Sequence, residues 1–249
     1  MFKAHKLSLG KFEFAPTAWS TIITFVLLPC LIMLGVWQLH RAAEKQNIKN
    51  TYQLRSQSPA LDLNHLQTLS VDQKYYPVTA TGSFDNQHQF LLDNKIYNHQ
   101  PGYQVLTPLI LSDQRAVLVN RGWVAQGRSR SQLPILQPIS SQVAVQGTIY
   151  EIPKNNFVLN NSLQDASWPK RIQAIDFAQL TKLSGLNLMP IVILLDANQN
   201  NGFVREWSPV NLNVNIHYGY AVQWFALALT LFVLFIIVNT KKLLNENKL

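Results

Sequence analysis

Two long stretches of this chain carry no formal charge, one near each end. The first runs from Trp19 to Leu39 and the second from Tyr218 to Val238. A helix rises 1.5 Å per residue, so about 20 apolar residues cross the hydrocarbon core of a bilayer. A buried helix of a soluble protein rarely stays apolar on every face for that length. The pattern therefore predicts two transmembrane helices, at residues 19–39 and 217–238.

The first stretch also resembles a signal peptide, because Lys3, Lys6 and Lys11 form a basic leader. Its apolar part is longer than the core of a signal peptide, and no small-residue cleavage motif follows it. We therefore expect the segment to be retained as a helix rather than cleaved. Good helix formers extend this helix through Arg41–Arg55, and Ser58-Pro59 is expected to stop it.

Between the spans, the hydrophobic period changes to two residues. Alternation begins at Tyr76–Gly82, and later runs are rich in valine and isoleucine, as strands are. Those later runs are Gln89–Leu92, Tyr103–Leu111, Ala116–Val124, Gln142–Ile149 and Ile191–Leu195. The predicted fold is an α+β membrane protein, in which two transmembrane helices flank one β-rich extracytoplasmic domain (residues 40–216) with a few short helices.

Short helices and turns are predicted from local signals. Asp176 is placed to cap a helix that continues through Leu183 and ends at Gly185. A weaker pattern favours a short helix from Leu61 to Leu69. Three further segments are predicted as turns or loops: Asp93-Asn94 as a turn, Asn120-Arg121-Gly122 as a tight strand exit that uses the conformational freedom of glycine, and Asn198–Gly202 as a loop.

The charges at the two ends indicate an orientation. Of the 21 basic and 13 acidic residues, the tails at 1–18 and 239–249 hold six and two, which leaves 15 and 11 for the rest of the chain. Positive charge favours the cytoplasmic side, so we expect both tails in the cytoplasm. The domain is then expected in the periplasm, beside a bacterial inner membrane. It has no basic run with interleaved aromatic residues, so we expect no nucleic-acid partner.

Composition and motifs exclude several kinds of chemistry. Charged residues are 14% of the chain, against about 25% in soluble domains, which agrees with two apolar spans. Cys30 is the single cysteine, so an internal disulfide, a CxxC redox pair and a cysteine zinc cluster are excluded. No copper or zinc motif, Walker loop or GxSxG motif is present. We therefore predict a protein that is not an enzyme, with a serine–histidine–aspartate site assembled from separate loops as an open alternative.

The residues that could carry chemistry lie at the membrane ends of the two spans. His217 and Trp224 share one face of the second helix, and Trp37 and Arg41 are one turn apart on the first. An imidazole there could bind a metal or a haem iron, and Arg41 could pair with an acidic group such as a haem propionate. The same residue types also anchor helices at the headgroup level. Spacing alone favours anchoring for both histidines, more strongly for His40 than for His217.

Four segments in chain order carry a recognisable signature. They are LGVWQLHR at residues 34–41 followed by Lys45, YPVTATGSFD at 76–85, VNRGWV at 119–124, and NIHYGYAVQWFALA at 215–228. Together they resemble the signature segments of the surfeit locus protein 1 (Surfeit-1) family, across nearly the whole chain. The chain departs from the family pattern at Glu44, at Ala125 and at Tyr218-Gly219.

This resemblance implies a membrane-bound assembly factor for haem–copper cytochrome c oxidase, acting while haem a enters the catalytic subunit. It makes haem a the expected cofactor and His217 its expected ligand. Trp224, Arg41 and Trp37 are the neighbouring binding residues that their positions suggest. The catalytic subunit of the oxidase and haem a synthase are the expected partners. Two alternatives stay open: a membrane scaffold that never binds haem, and a membrane-bound hydrolase.

Overall fold

The computed structural model forms two compact units. It describes residues 7–9, 11–66, 72–127, 132–139, 142–150, 152, 167–207 and 213–242. One unit, which we call the helical unit, comprises residues 1–50 and 210–249, and the barrel unit comprises residues 51–209. The elements in chain order are β1 (Leu7–Leu9), β2 (Phe12–Phe14), α1 (Ala18–Ser56), β3 (Leu61–Asp62), β4 (Pro77–Phe84), β5 (Phe90–Tyr97), β6 (Gln100–Leu111), β7 (Arg115–Ala125), β8 (Gln142–Tyr150), β9 (Lys170–Ile172), α2 (Phe177–Ser184), β10 (Asn187–Leu195), α3 (Asn215–Asn239) and β11 (Thr240–Lys242).

The two long helices contain the two uncharged stretches of the sequence. With 39 residues in α1 and 25 in α3, each is long and apolar enough to cross a membrane. The extension of the first helix through Arg41–Arg55 is confirmed, and α1 ends at Ser56, just before Ser58-Pro59. The boundary between the two units falls within α1, after Asn50.

The buried side chains in the middle of the helix pair are small or polar, and they lie on one stripe of each helix, which we call the seam. Its half-buried and buried positions recur at alternating spacings of three and four residues, which is the spacing of left-handed helix packing. These positions are Thr24, Leu28, Leu31, Gly35, Gln38 and Ala42 on α1, and His217, Ala221, Trp224, Ala228, Leu231 and Phe235 on α3. At Gly35 a Cβ atom would lie 2.7 Å from the Phe225 ring, so the glycine permits the close approach of α3.

A three-stranded antiparallel sheet closes one end of the helix pair. β2 is its central strand, with β1 on one side and β11 on the other. The Asn239 carboxamide oxygen accepts from the Thr17 amide at 3.0 Å and from the Ser20 hydroxyl at 2.9 Å, which joins the start of α1 to the end of α3. We did not predict this sheet, because strands of three residues are too short to show a period.

Five strands of the barrel unit close into a ring. The order β4-β8-β10-β7-β6 is completed by pairing of β6 back to β4, between Gly82–Phe84 and Leu109–Leu111. Apolar side chains from all five strands fill the interior. The fully buried ones include Val78, Leu109, Val119, Ile149 and Ile193.

The remaining elements cover one outer face of the ring. β5 extends the sheet beyond β6, and β9 pairs in parallel with β5. α2 packs Leu180 into a second apolar cluster with Leu118 and Val192, which point outward from β7 and β10. The predicted caps of α2 are confirmed: the Asp176 carboxylate accepts from the amides of Ala178 and Gln179, and Gly185 follows in the left-handed conformation.

The structure agrees with the predicted strands but lengthens several of them. β5 starts near Gln89 as predicted but runs to Tyr97, and β10 starts at Asn187 rather than Ile191. The first half of β10 was not predicted because it contains Pro190, and a proline in the sequence argues against a strand. The parallel strand β9 was not predicted, since three residues carry no periodic signal.

Three local predictions were wrong. Leu61–Asp62 forms β3, paired in parallel with β4, rather than the start of a helix; residues 67–69 of that prediction lie outside the described residues. Asp93-Asn94 is not a turn, because β5 continues through a bulge at which Asn94 has φ 59°. The chain reverses later, at Asn98 and His99, both with positive φ. Asparagine accepts this conformation in a bulge as readily as in a turn.

Asn120-Arg121-Gly122 lies inside β7 and does not end it. The register of β7 against β6 shifts between Asn120 and Trp123, so two residues of β7 oppose one residue of β6. Gly122 sits in this bulge with φ 116°, as its predicted conformational freedom required. A tight strand exit and a bulge both need a residue that tolerates a positive φ, and glycine does so. The sequence therefore does not distinguish between the two features.

Candidate functional site

His217 lies in the first turn of α3, on the seam. Its Nδ1 atom is 2.9 Å from Oε1 of Gln38, which is 9% exposed in α1. A glutamine Oε1 has no proton, so His217 Nδ1 must donate in this hydrogen bond. A neutral imidazole has one N–H group, and its second nitrogen, Nε2, then carries the lone pair that a metal requires.

Trp224 lies two turns deeper on the same face of α3. His217 and Trp224 are half-buried, and Ala221 between them is 1% exposed. The shared face predicted from their spacing is therefore confirmed. Two turns of helix place Trp224 about 10 Å along the axis from His217.

Trp37 and Arg41 lie on the exposed surface of α1. Trp37 is 57% exposed. The Arg41 guanidinium donates to the Glu44 carboxylate on the next turn at 2.6 Å, and both side chains are largely in solvent. Since an exposed ion pair contributes only about 0–1 kcal/mol, Arg41 can exchange this partner for another anion at low cost. Of the four predicted residues, His217 and Trp224 lie on the seam and Trp37 and Arg41 lie outside it.

Gln38 was not among the predicted site residues. It is a polar residue in the middle of the signature segment at 34–41, and it falls seven residues after the half-buried Leu31. An uncharged polar side chain at a helix-packing position of an apolar span must find a partner, because lipid offers none. That signal was present in the sequence and pointed to Gln38.

The donor set at the seam fits a haem iron better than a structural metal. A zinc or copper site needs several closely spaced ligands, and no group of three or more His, Cys, Asp or Glu side chains occurs in the part of the chain that the structure describes. A haem iron needs only one axial protein ligand, since the porphyrin supplies four nitrogens. One histidine with a defined tautomer is therefore a sufficient ligand for a haem.

The barrel unit contains a second histidine with a fixed partner. His88 Nδ1 is 2.7 Å from the Asp85 carboxylate, and the His88 ring packs edge-on against Trp168 at 4.8 Å. Burial works against ionisation of Asp85. Hydrogen bonds from His88 and from the backbone amide of Gln87 outweigh it and lower the pKa of Asp85. The Asp85 carboxylate also accepts from the backbone amides of Gln87 and His88, which is the hydrogen-bond pattern of a turn.

Arg121 is buried between two aromatic rings. Its guanidinium carbon lies 5.6 Å from the centre of the Phe84 ring and 4.8 Å from that of Phe203, and its Nε donates to the Asn201 carbonyl at 2.7 Å. Desolvation and the nearby charge of Arg205 lower the pKa of Arg121 to about 10. These contacts fasten the predicted loop at 198–202 to β7. Arg121 is thus a determinant of the fold, as its position in the strand bulge suggests.

The described residues form an α+β protein with a large, closed β-sheet. Its two apolar helices contact each other through the hydrogen bond between Gln38 and His217. The model of the SURF1 family matches residues 25–229. The chain is 28% identical over 234 residues to a SURF1-like protein of Rickettsia bellii, covering 88% of this chain and 89% of that protein. It is 26% identical to a SURF1-like protein of Rickettsia felis, over 88% of this chain and 96% of the relative.

More distant relatives also match this chain over most of its length. An uncharacterized SURF1-like protein of Mycobacterium tuberculosis is 22% identical over 82% of this chain and 75% of its own length. Because the family model covers most of the residues, from α1 into α3, the chain belongs to the SURF1 family. The four signature segments at 34–41, 76–85, 119–124 and 215–228 all lie within the matched region.

Proposed function

We propose that this protein is an assembly factor for haem–copper cytochrome c oxidase that holds haem a while the haem passes to the catalytic subunit. Membership of the SURF1 family supports the general role in oxidase assembly. The observation that carries the haem-binding part is the hydrogen bond between His217 Nδ1 and Gln38 Oε1 at 2.9 Å. It leaves His217 Nε2 as a ligand atom at the end of an apolar helix pair, where a hydrophobic macrocycle with one open axial position could bind.

Each of the predicted residues has a role in this proposal. His217 Nε2 would hold the iron of the haem. Trp224 offers a flat apolar surface deeper along the seam. Arg41 donates to a propionate after leaving Glu44, while its hydrocarbon stem stays at the interface. Trp37, one turn before Arg41, anchors this end of α1 at the headgroup level.

The location follows from the same proposal. α1 and α3 cross a bacterial inner membrane, both tails lie in the cytoplasm, and the barrel unit lies in the periplasm. Haem a is a cargo rather than a reactant here, so the protein needs no catalytic residues and acts as a chaperone and not as an enzyme. Haem a synthase is the proposed source of the cargo and the catalytic subunit its destination.

A haem-independent scaffold is the second candidate. Two observations favour the scaffold function: Trp37 is exposed, and Arg41 forms an ion pair with Glu44. Both side chains could contact another membrane protein instead of a haem. In this version His217 and Gln38 serve only to hold α1 against α3. The two functions differ in one respect: only the first requires a ligand atom on His217.

Variants of two histidines separate the candidates. We expect the wild-type protein, purified from cells that make haem a, to show haem a absorbance. His217→Ala should remain folded and membrane-inserted, lose most of that absorbance and lower the amount of active oxidase. The matched control is His40→Ala, which removes an exposed histidine from the end of the other span and should change neither quantity. If His217→Ala keeps a normal haem spectrum while oxidase activity falls, the scaffold function is correct.

A further inference from the structure

We propose that Gln38 is a positioning residue that fixes the tautomer and the ring orientation of His217, so that Nε2 is presented as the ligand atom. This inference rests on the proposed function, because it assigns a role to Gln38 in the same site. Gln38 does not touch the haem in this proposal. It acts only through His217, across the contact between α1 and α3.

The hydrogen-bond geometry defines which nitrogen carries the proton. The Gln38 side chain is buried, and its Oε1 lies 2.9 Å from His217 Nδ1, a normal N–H···O distance. In water, an unrestrained histidine exchanges between its two neutral tautomers and rotates about its side-chain bonds. An acceptor on a neighbouring helix removes both freedoms, since only one tautomer and one ring orientation direct N–H toward it.

The surroundings of the pair make the hydrogen bond strong. The neighbouring seam positions Gly35, Ala42 and Ala221 are buried and offer no side-chain hydrogen-bond partner. In such surroundings a donor or acceptor without a partner is destabilising, because it has lost its hydrogen bonds to water. The polar atoms of Gln38 and His217 therefore depend on each other. Histidine ligands of metals commonly have such an acceptor for the second ring nitrogen, and its removal typically lowers metal affinity by about 10- to 100-fold.

The opposite end of the seam shows what a purely structural polar residue looks like. The Asn239 oxygen accepts from the Thr17 amide and the Ser20 hydroxyl, and its nitrogen donates to the Phe235 carbonyl. Its contacts close off a helix end and use backbone groups and a hydroxyl. Gln38, in contrast, contacts an imidazole, which is a side chain that can bind a metal. The difference indicates that Gln38 serves the imidazole rather than the backbone.

The test uses three substitutions in the full-length protein in detergent. Gln38→Met has nearly the same volume but no strong acceptor, and Gln38→Glu retains an acceptor at the same distance. Gln46→Met makes the same change about two turns further along α1, where the glutamine donates to Asn50 of the same helix. Nitrogen NMR of haem-free, isotope-labelled protein reports the tautomer of His217, assigned by comparison with His217→Ala. A haem a titration then gives the affinity.

We expect wild type, Gln38→Glu and Gln46→Met to show the tautomer with the proton on Nδ1 and to bind haem a alike. Gln38→Met should show a mixture of tautomers and bind haem a about 10-fold more weakly or worse. An unchanged tautomer and unchanged affinity in Gln38→Met overturn the inference. If wild type has the expected tautomer but His217→Ala binds haem a equally well, the proposed ligand is wrong and the role of Gln38 falls with it. The NMR and titration results thus distinguish the two failures.

Discussion

In the barrel unit most of the large apolar side chains are buried, whereas in the helical unit most of them are exposed. Leu109, Val119 and Ile193 are completely buried inside the ring of strands. Phe25 is 80% exposed on α1, and Val222 is 68% exposed on α3. The barrel unit therefore has the distribution of a water-soluble domain. The helical unit has the reverse distribution, which is that of a protein surrounded by lipid.

This difference separates the roles of the two units. The barrel unit is held together by closed strand pairing and a filled interior, which tolerate polar groups such as Arg121 where they fasten a loop. The helical unit is held by a narrow seam of small residues and by individual polar contacts. A polar pair in that seam must be satisfied locally, so the Gln38–His217 contact is the feature of the helical unit with the clearest functional meaning.

The largest effect on the barrel unit is expected at the strand bulge. At Gly122, with φ 116°, a Cβ atom would lie 2.6 Å from the Val204 carbonyl oxygen. Gly122→Ala combines backbone strain with a collision and should lower the free energy of unfolding by about 3 kcal/mol or more. Gly185→Ala is the control, because that glycine has φ 69° but nothing described within 4 Å of the added Cβ. The control should cost only about 1 kcal/mol.

Denaturant unfolding followed by near-UV circular dichroism measures both variants. Equal costs for the two alanines would mean that the contact between the β7 bulge and Val204 does not contribute to stability. Neither substitution should affect the tautomer of His217, since both lie in the barrel unit.

An intermediate effect is expected in the seam. A Cβ at Gly35 would lie 2.7 Å from the Phe225 ring, so Gly35→Leu must push α3 away. The larger side chain should destabilise the helix pair by about 2 kcal/mol and weaken the Gln38–His217 hydrogen bond one turn away. Gly219→Leu is the control, because no described atom lies within 4 Å of its added Cβ. Helix unfolding in detergent and the His217 tautomer are the measurements, and identical results for both leucines would show that the seam is not the packing surface.

The smallest effect is a pH dependence in the barrel unit. Because the folded pKa of Asp85 is lowered, its ionised form stabilises the fold at pH values above the unfolded pKa of about 4. That contribution should be lost as the pH falls through the lower folded pKa. Asp85→Asn should remove this part of the acid sensitivity, whereas Glu44→Gln, an exposed residue of α1, should not. Unfolding free energies between about pH 7 and about pH 3 test this, and equal slopes for wild type and Asp85→Asn would refute it.

The sequence allowed most of the elements to be predicted, because their signals are local. The uncharged stretches, the cap at Asp176 and the alternation in β4 each depend on neighbouring residues. Closure of the ring has no such local signal. It depends on the pairing of Gly82–Phe84 with Leu109–Leu111, and these segments belong to strands that are not consecutive in the chain. Sequence also does not separate bulges from turns, which is why Asn94 and Gly122 were interpreted as chain reversals.

The candidate site was predictable in part for the same reason. The spacing of His217 and Trp224 on one helix is local information, and the structure has them on one face. The partner of His217 lies 179 residues away in the chain, so the sequence could mark Gln38 as a polar residue in need of a partner but could not show that this partner is His217. Arg41 and Trp37 were grouped with His217 because both helix ends were expected at the same membrane face. Their roles in binding stay predictions.

Binding of haem a by His217 is tested most directly by titrating the purified, full-length protein in detergent with haem a. The Soret absorbance follows the titration. We expect a saturable spectral change for wild type, with the spectrum of a histidine-ligated iron. His217→Ala should lose this spectral change, and His40→Ala should retain it. A saturable, histidine-type spectrum that is the same in wild type and His217→Ala would contradict the claim that His217 holds haem a.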